Sequence, residues 1–321
     1  MVLIMQKLQK LKQKIRLLQN MIFHIQIINK KIVFKLVKQF SQDLNLTTIL
    51  KTIRINRSTY YYWLKIEEKL KLKQTKYFLQ QKRIKVLCLH HQYFYGHRKI
   101  TDLYQKTFNE PITKKKVYLI MKENNICCKL RPKKNKYYYH KNLKSNLQVA
   151  PNLINQDFTS SQPMKKLFTD ITYFQTPQGF IYFSAIIDSF NNQIIASHTS
   201  NRQDKELILN TIKKLPPLKE PCVIHSDQGL VYQSPKVQQT LTKKRFLISM
   251  SRKATPRDNA VIENFFGQMK SILFNQHPFL FQQVPCKIKK IINRFTSFWN
   301  HKWLLTKLNT LSPLKYSQSF R

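Results

Sequence analysis

Three carboxylates stand out in a chain that has few. Asp170 lies in Leu167-Phe168-Thr169-Asp170-Ile171-Thr172-Tyr173, and Asp227 in Val223-Ile224-His225-Ser226-Asp227-Gln228-Gly229. Glu263 lies in Asp258-Asn259-Ala260-Val261-Ile262-Glu263-Asn264-Phe265-Phe266-Gly267, with 35 residues between it and Asp227. Carboxylates gathered in one site repel each other, so a cluster of this kind makes sense only with cations among them. Hard divalent ions suit such a set, because they take a few carboxylates, keep waters and accept phosphate oxygens as further ligands.

The elements around these acids read as an α/β arrangement. Leu167 to Phe174 alternates as a strand with Phe168, Asp170 and Thr172 on one face. Pro177-Gln178-Gly179 turns the chain into a second strand, Phe180 to Ile187, and Gln193 to His198 makes a third. A helix over 203–214, a strand at Cys222 to His225, a helix over 234–243 and a strand at Phe246 to Met250 follow. Asp227 then falls at the carboxyl end of its strand, where open sheets place ligands. Thr255-Pro256-Arg257-Asp258 has the form of a capping box with proline at the first helical position, opening the helix that carries Glu263. Ile262, Phe265, Met269 and Ile272 form the buried stripe of that helix. Asn259, Glu263, Gly267 and Lys270 share another face, where Lys270 can steady a phosphate. Asp258 reads as a cap, His225 as a core histidine at a strand end, and Asp188 as a strand terminator.

Charge sets the partner. The chain of 321 residues holds 57 Lys+Arg against 15 Asp+Glu, a formal net charge of +42. Its first 150 residues carry 34 of the basic residues and 6 of the acids. A polyanion is the natural partner for such a surface, since phosphates release counterions to Lys and Arg. Five cysteines without paired spacing suit a reducing cytoplasm and no disulfide scaffold. His90-His91 and Cys127-Cys128 lack the spacing of a zinc module. No run of apolar residues is long enough for a membrane span.

The basic first half divides further. Residues 1–42 form a helical region in which Leu8, Leu11, Ile15, Leu18, Ile22 and Ile25 make a heptad stripe, open either to self-association or to packing within the domain. Residues 43–130 read as a helix-turn-helix-like DNA-binding region. Leu46, Ile49, Leu50 and Ile53 form one helical face, Arg54 to Arg57 the break, and Ser58 the cap of a short second helix. That helix can present Arg57, Thr59, Tyr60 and Lys65 to DNA. Arg98 and Lys99 after Gly96, and Lys114, Lys115 and Lys116 after Thr113, can meet phosphates. Residues 131–158 interleave basic residues with tyrosines as a DNA-tracking linker that includes Lys133 and Lys134. The core is expected over 159–280, and a basic helical tail over 281–321.

Taken in order, these motifs resemble the larger reading frame of insertion-sequence transposases of the IS-three family. The resemblance runs through Arg57-Ser58-Thr59-Tyr60-Tyr61, Tyr95-Gly96-His97-Arg98, Val117 to Lys122, Thr169 to Tyr173, His225 to Gly229, Asp258-Asn259-Ala260, Glu263 to Phe266 and Leu311-Ser312-Pro313. It departs where that family has a Trp before the first Asp (here Leu167), a Gly-Asn-x-Trp run (here Ala254 to Arg257), and an Arg and a His near the end (here Trp303 and Leu305). None of these removes a carboxylate.

The resemblance implies a ribonuclease-H-like, retroviral-integrase-like core with a mixed five-stranded sheet and flanking helices, preceded by an all-α DNA-binding region. It implies a triad of Asp170, Asp227 and Glu263 holding two Mg²⁺ or Mn²⁺ ions. The expected activity is cleavage at the terminal inverted repeats of the element and joining of a 3′-hydroxyl to target DNA. A homo-oligomer and an upstream helix-turn-helix frame product are the expected protein partners. A DNA-binding repressor or domesticated relative without catalysis, and a nuclease that only hydrolyses, are the competing readings.

Overall fold

Long alternating runs of β-branched and aromatic residues build the sheet where the sequence places it. The computed structural model describes all residues except 1, 24–29, 43, 131–148, 254 and 321. Lys133 and Lys134 therefore lie outside the described residues. The chain divides into two units, Met1–Lys82 and Arg83–Arg321. Among the described residues no helix is long and apolar enough to cross a membrane.

The first unit holds α1 (Val2–Phe23), α2 (Lys30–Phe40), α3 (Leu46–Thr52) and most of α4 (Arg57–His90). Asn45 caps α3 by accepting from the Thr48 amide. Val33, Leu36, Val37, Leu44, Ile49, Leu50, Ile53 and Tyr60 form its core. Leu11 and Ile15 of the heptad stripe pack against that core, whereas Leu8 stays exposed. Ile25 falls outside the described residues, and α4 differs from expectation. It begins at Arg57, so Ser58 lies in its first turn and is not its cap, and it continues for 34 residues. Past Lys65 it is rich in Lys, Gln and Glu, which favour helix, and its last turns bury Ile84, Leu87 and Cys88.

The second unit opens with α5 (His97–Phe108) and α6 (Lys114–Glu123). Thr113 caps α6 through the Lys116 amide, as its sequence predicts. Ile100, Leu103, Tyr104, Val117, Ile120 and Met121 bury the facing stripes. Glu110 joins the region by accepting from Arg83 (2.8 Å) and from the Tyr104 hydroxyl (2.7 Å).

Five strands follow: β1 (Lys166–Thr176), β2 (Gly179–Asp188), β3 (Ile194–Ser200), β4 (Cys222–Ser226) and β5 (Phe246–Met250). Their order is β3-β2-β1-β4-β5; the meander β1–β2–β3 is antiparallel, and β4 pairs parallel with β1 and β5. This is the mixed five-stranded sheet expected of a ribonuclease-H-like core. One face packs on α7 (Lys205–Lys213) and α8 (Pro235–Lys243) through Leu167, Ile186, Ile208, Ile212, Val237 and Leu241. Against the other lies α9 (Ala260–Gln276), with Phe183 edge-on to Phe266.

The last helices, α10 (Pro285–His301) and α11 (Pro313–Gln318), belong to this same unit. Trp299 is fully buried against Phe265 and donates its indole N–H to the Asn192 carbonyl (2.8 Å). Asn300 both accepts from the Ile194 amide and donates to its carbonyl, each at 2.9 Å. The side-chain amide thus occupies the pairing groups at the start of edge strand β3, which blunts an otherwise open edge.

Candidate active site

Two of the acids are brought together by strand register. Phe168 of β1 pairs with His225 of β4 in the parallel ladder. Asp170 and Asp227 each lie two residues beyond that pair, level with each other on neighbouring chain segments that run the same way. Strands in a sheet are about 4.8 Å apart, so the two side chains share one locality.

Each aspartate is held by a backbone amide. Ile171 N–H donates to Asp170 Oδ1 at 2.7 Å, and Gly229 N–H to Asp227 Oδ1 at 3.0 Å. Among the described residues the second oxygen of each accepts no hydrogen bond. A Cβ built on Gly229 would stand 2.9 Å from Asp227 Oδ1, so a larger residue there must push that carboxylate away from its amide. Gly229→Ala is accordingly expected to fold with little change in melting temperature, because the position is a half-buried surface turn. It should nonetheless lose roughly 10- to 100-fold in strand joining by displacing the carboxylate. Circular dichroism melting beside a joining assay checks both halves.

Glu263 comes from the other direction. It sits exposed in the first turn of α9. The helix start is tied to β1 by buried Asn259, whose Nδ2 donates to the Thr169 carbonyl at 3.2 Å, one residue before Asp170. The predicted capping box does not form. Thr255 makes no capping bond, and Pro256–Asn259 is a 3-10 turn ahead of the helix. Asp258 is instead fully buried and accepts from Arg252 N, Nε and Nη2, Asn152 Nδ2 and Gln156 Nε2 at 2.9–3.1 Å. It fixes the turn that precedes Glu263.

The electrostatics join the three acids. Burial first, then the Asp227 carboxylate, hold the Asp170 pKa well above the usual range, with Glu263 adding to the rise and Lys270 opposing it. Burial raises Asp227, while its bond from Gly229 pulls the other way. Glu263 is open to solvent on one side but partly enclosed on the other, and that enclosure first, then Asp227, raises its pKa. Among the described residues no three His, Cys, Asp or Glu side chains stand within reach of one ion as they lie. Glu263, exposed and with three side-chain torsions, is the most adjustable of the three. The donor set is all oxygen and short of positive charge, which fits Mg²⁺ or Mn²⁺ and does not fit a zinc site.

Tyr232 was not evident in the sequence as part of this site. It is buried, its hydroxyl 3.2 Å from Thr169 Oγ1, which in turn donates to the Ala185 carbonyl (3.0 Å). Burial, Asp170 and Asp227 all raise its pKa, so it stays a neutral donor beneath the acids. Its position five residues after Asp227 was the available signal. His225 is a core histidine: fully buried, its Nδ1 2.8 Å from Ser249 Oγ, its pKa lowered to about 4 by burial. Asp188 ends β2 by accepting from the Met164 and Phe190 amides at 2.8 and 3.0 Å.

The basic candidates separate into surface and core. Arg57, Lys65, Arg98, Lys114 and Lys115 are exposed, and Thr59 and Lys116 are half-buried. Tyr60 is buried against Phe34, so it supports α4 from inside and cannot reach DNA. Tyr61 and Tyr62 occupy the exposed side instead, with Arg57 over the Tyr61 ring at 5.6 Å. Spacing could have shown this, since Tyr60, Trp63 and Leu64 lie on one helical face. Lys99 is likewise structural. Its ammonium lies 4.1 Å from the centre of the Tyr95 ring and 4.7 Å from that of Trp303, and it donates to the Leu304 carbonyl at 2.7 Å. Burial lowers its pKa to about 8. Lys270 is half-buried, over Tyr173 at 5.1 Å.

Comparison with known proteins agrees with this architecture. Residues 160–256 match the integrase core domain family, and residues 78–134 an HTH-like domain family. The chain is 31% identical over 288 residues to the transposase InsK of insertion sequence element IS150 from Escherichia coli (strain K12), covering 88% of this chain and 96% of that one. It is 26% identical over 253 residues to the transposase InsF of insertion sequence IS3A from the same organism, covering 77% and 86%. The solved HTLV-2 integrase catalytic core domain in complex with magnesium aligns with 50% of this chain and 99% of its own, at 16% identity and a TM-score of 0.41. The chain belongs to the insertion-sequence transposases of the IS-three family, polynucleotidyl transferases built on an integrase core.

Proposed function

We propose that the protein cuts DNA at the terminal inverted repeats of its element and joins the freed 3′-hydroxyls to a target strand, with Asp170, Asp227 and Glu263 as the catalytic acids. The observation that supports this is the register that sets Asp170 of β1 level with Asp227 at the end of β4, with Glu263 in the first turn of a helix tied to β1 beside Asp170 through Asn259. Without added positive charge such a cluster only destabilises the fold, so its use lies in what it holds. A pair of Mg²⁺ or Mn²⁺ ions held there would supply the charge that an attacking and a leaving oxygen both need. The Asp170 and Asp227 oxygens not engaged by amides, with Glu263 swinging in from α9, would hold them.

The rest of the chain supports the same reading. Arg57, Thr59 and Lys65 on α4, with Arg98, Lys114, Lys115 and Lys116 on α5 and α6, offer phosphate contacts in two helical regions. Lys133 and Lys134 would add to them between those regions and the core. Two ends must be cut and joined together, so the active form would hold at least two copies, with or without the product of an upstream frame. The decisive reagent is DNA carrying both flanks of the gene. Labelled flanks incubated with the protein and Mg²⁺ or Mn²⁺ should be nicked and joined, and neither product should form in chelator. Salt-sensitive binding without cutting in any metal would favour the non-catalytic repressor.

A further inference from the structure

The hairpin that joins β1 to β2 carries three aromatic rings at its surface. Tyr173 pairs with Tyr182 across the strands. Phe180 lies beside both, with ring centroids 5.5 Å from Tyr173 and 6.2 Å from Tyr182, and the two tyrosines are 6.5 Å apart. Tyr173 is 56% exposed and Phe180 44%. The helices α7 and α8 cover this side of the sheet further along, at Leu167, Ile186 and Ala196, and do not include these rings in their core.

Two features connect the rings to the acids. Asp170 lies three residues back on β1 and so belongs to the opposite, α9 face of the sheet. The β4 ladder beside β1 ends at Phe168, however, which leaves this edge of β1 open between acid and rings. Lys270, whose ammonium sits over Tyr173 and within 5.8 Å of the centre of the Phe174 ring, is also within electrostatic reach of the Asp170 carboxylate. A DNA strand crossing this open edge at Lys270 therefore passes between the acid on one face and the rings on the other. Paired bases keep their faces inside the duplex stack. An unpaired base can lay its face on an exposed ring, and aromatics beside a cation are the usual platform for it.

We propose that Tyr173, Phe180 and Tyr182 form a stacking platform for unpaired bases of single-stranded DNA beside the acid site, with Lys270 taking the intervening phosphate. The charge at the patch favours a nucleic acid over a second copy of this basic chain, which would bring like charge to it. The inference rests on the reading of the three acids as the strand-transfer site, but its test does not use cutting.

The full chain, without added metal, would be titrated into a single-stranded oligonucleotide of the element's flank carrying 2-aminopurine, and into the same sequence as a fully paired duplex. Stacking quenches the fluorescence in the single strand. Tyr173→Ala and Phe180→Ala should each weaken single-strand binding about 5- to 150-fold and remove the quench, while duplex affinity stays within about twofold. Tyr173→Trp should restore both. Equal loss on duplex and single strand, or no loss on either, would overturn the proposal. So would unchanged DNA binding with a reduced sedimentation coefficient in the alanine variants, which would assign the patch to self-association. A failure of metal-dependent cutting in the wild type would bear on the acids and leave these readings standing.

Discussion

Asp227→Asn is expected to abolish strand joining and, in the absence of metal, to make the protein more stable. The two effects have one cause. On the proposed reading the carboxylate helps hold the ions, and losing several kcal/mol of transition-state stabilisation lowers the rate by about 10³-fold or more. Without ions the same carboxylate is a liability, because Asp170, Asp227 and Glu263 all have pKa values raised by burial and, for Asp170 and Glu263, by the Asp227 carboxylate as well. A carboxylate raised in the folded state keeps protons that the unfolded chain gives up. Stability is therefore lost as pH climbs from about 4, the unfolded carboxylate value, through the raised folded one. For Asp170, raised to about 8, that loss is still growing at neutral pH and is complete only above it. The asparagine variant carries one charge fewer in the cluster and should gain on the order of 1–3 kcal/mol, or roughly 2–10 °C in Tm. Adding Mg²⁺ should reverse the ranking by stabilising the wild type alone, as binding to the folded state must. Thermal melts at pH 5 and 8, with chelator and with Mg²⁺, read every part of this. A wild type whose Tm ignores both pH and Mg²⁺ would remove these acids from consideration as a metal site.

Much of this site was legible in the sequence because its parts are local. Asp170 sits in a strand of alternating apolar residues, and Asp227 follows a short buried one. The helix carrying Glu263 shows its Ile262, Phe265, Met269 and Ile272 stripe, all of which are buried. The scarcity of acids made each of them visible. What was not legible depends on partners distant in the chain. The Thr255 to Asp258 run has the letters of a capping box, yet Asp258 is drawn away by Arg252, Asn152 and Gln156, which offer it five hydrogen bonds where a helix amide offers one or two. Lys99 reads as a phosphate contact until Trp303, some two hundred residues later, closes over it. Tyr60 was misjudged for a different reason: its face could be read, but the exposed tyrosines beside it were not separated from it. The length of α4 had no apolar period to announce it, only residues that favour helix.

Asp258 should behave as the opposite of the acids it helps to position. Its carboxylate is fully buried but held by donors, the Arg252 guanidinium first among them, which keep its pKa far below the usual carboxylate range. A carboxylate lowered in the folded state contributes stability that is present above about pH 4 and lost as pH falls toward the folded value. Asp258→Ala removes that contribution at neutral pH. Not every donor is then stranded: Arg252 and Gln156 are exposed enough to find water. The Arg252 amide and half-buried Asn152 are less able to do so. With one or two orphaned groups at about 1–3 kcal/mol each, the expected loss is roughly 2–4 kcal/mol, within the range of damaging single substitutions. Joining activity should fall as well, because the turn that Asp258 fixes is continuous with Asn259, the residue that ties the Glu263 helix to β1. Asp258→Asn, which keeps the shape and one acceptor, should recover part of the stability but none of its pH dependence between about 2 and 4. Acid titration followed by near-ultraviolet circular dichroism separates the two variants. If Asp258→Ala melts like the wild type at pH 7, the Arg252 clamp contributes nothing to the fold, and the placement of Glu263 must come from the α9 core alone.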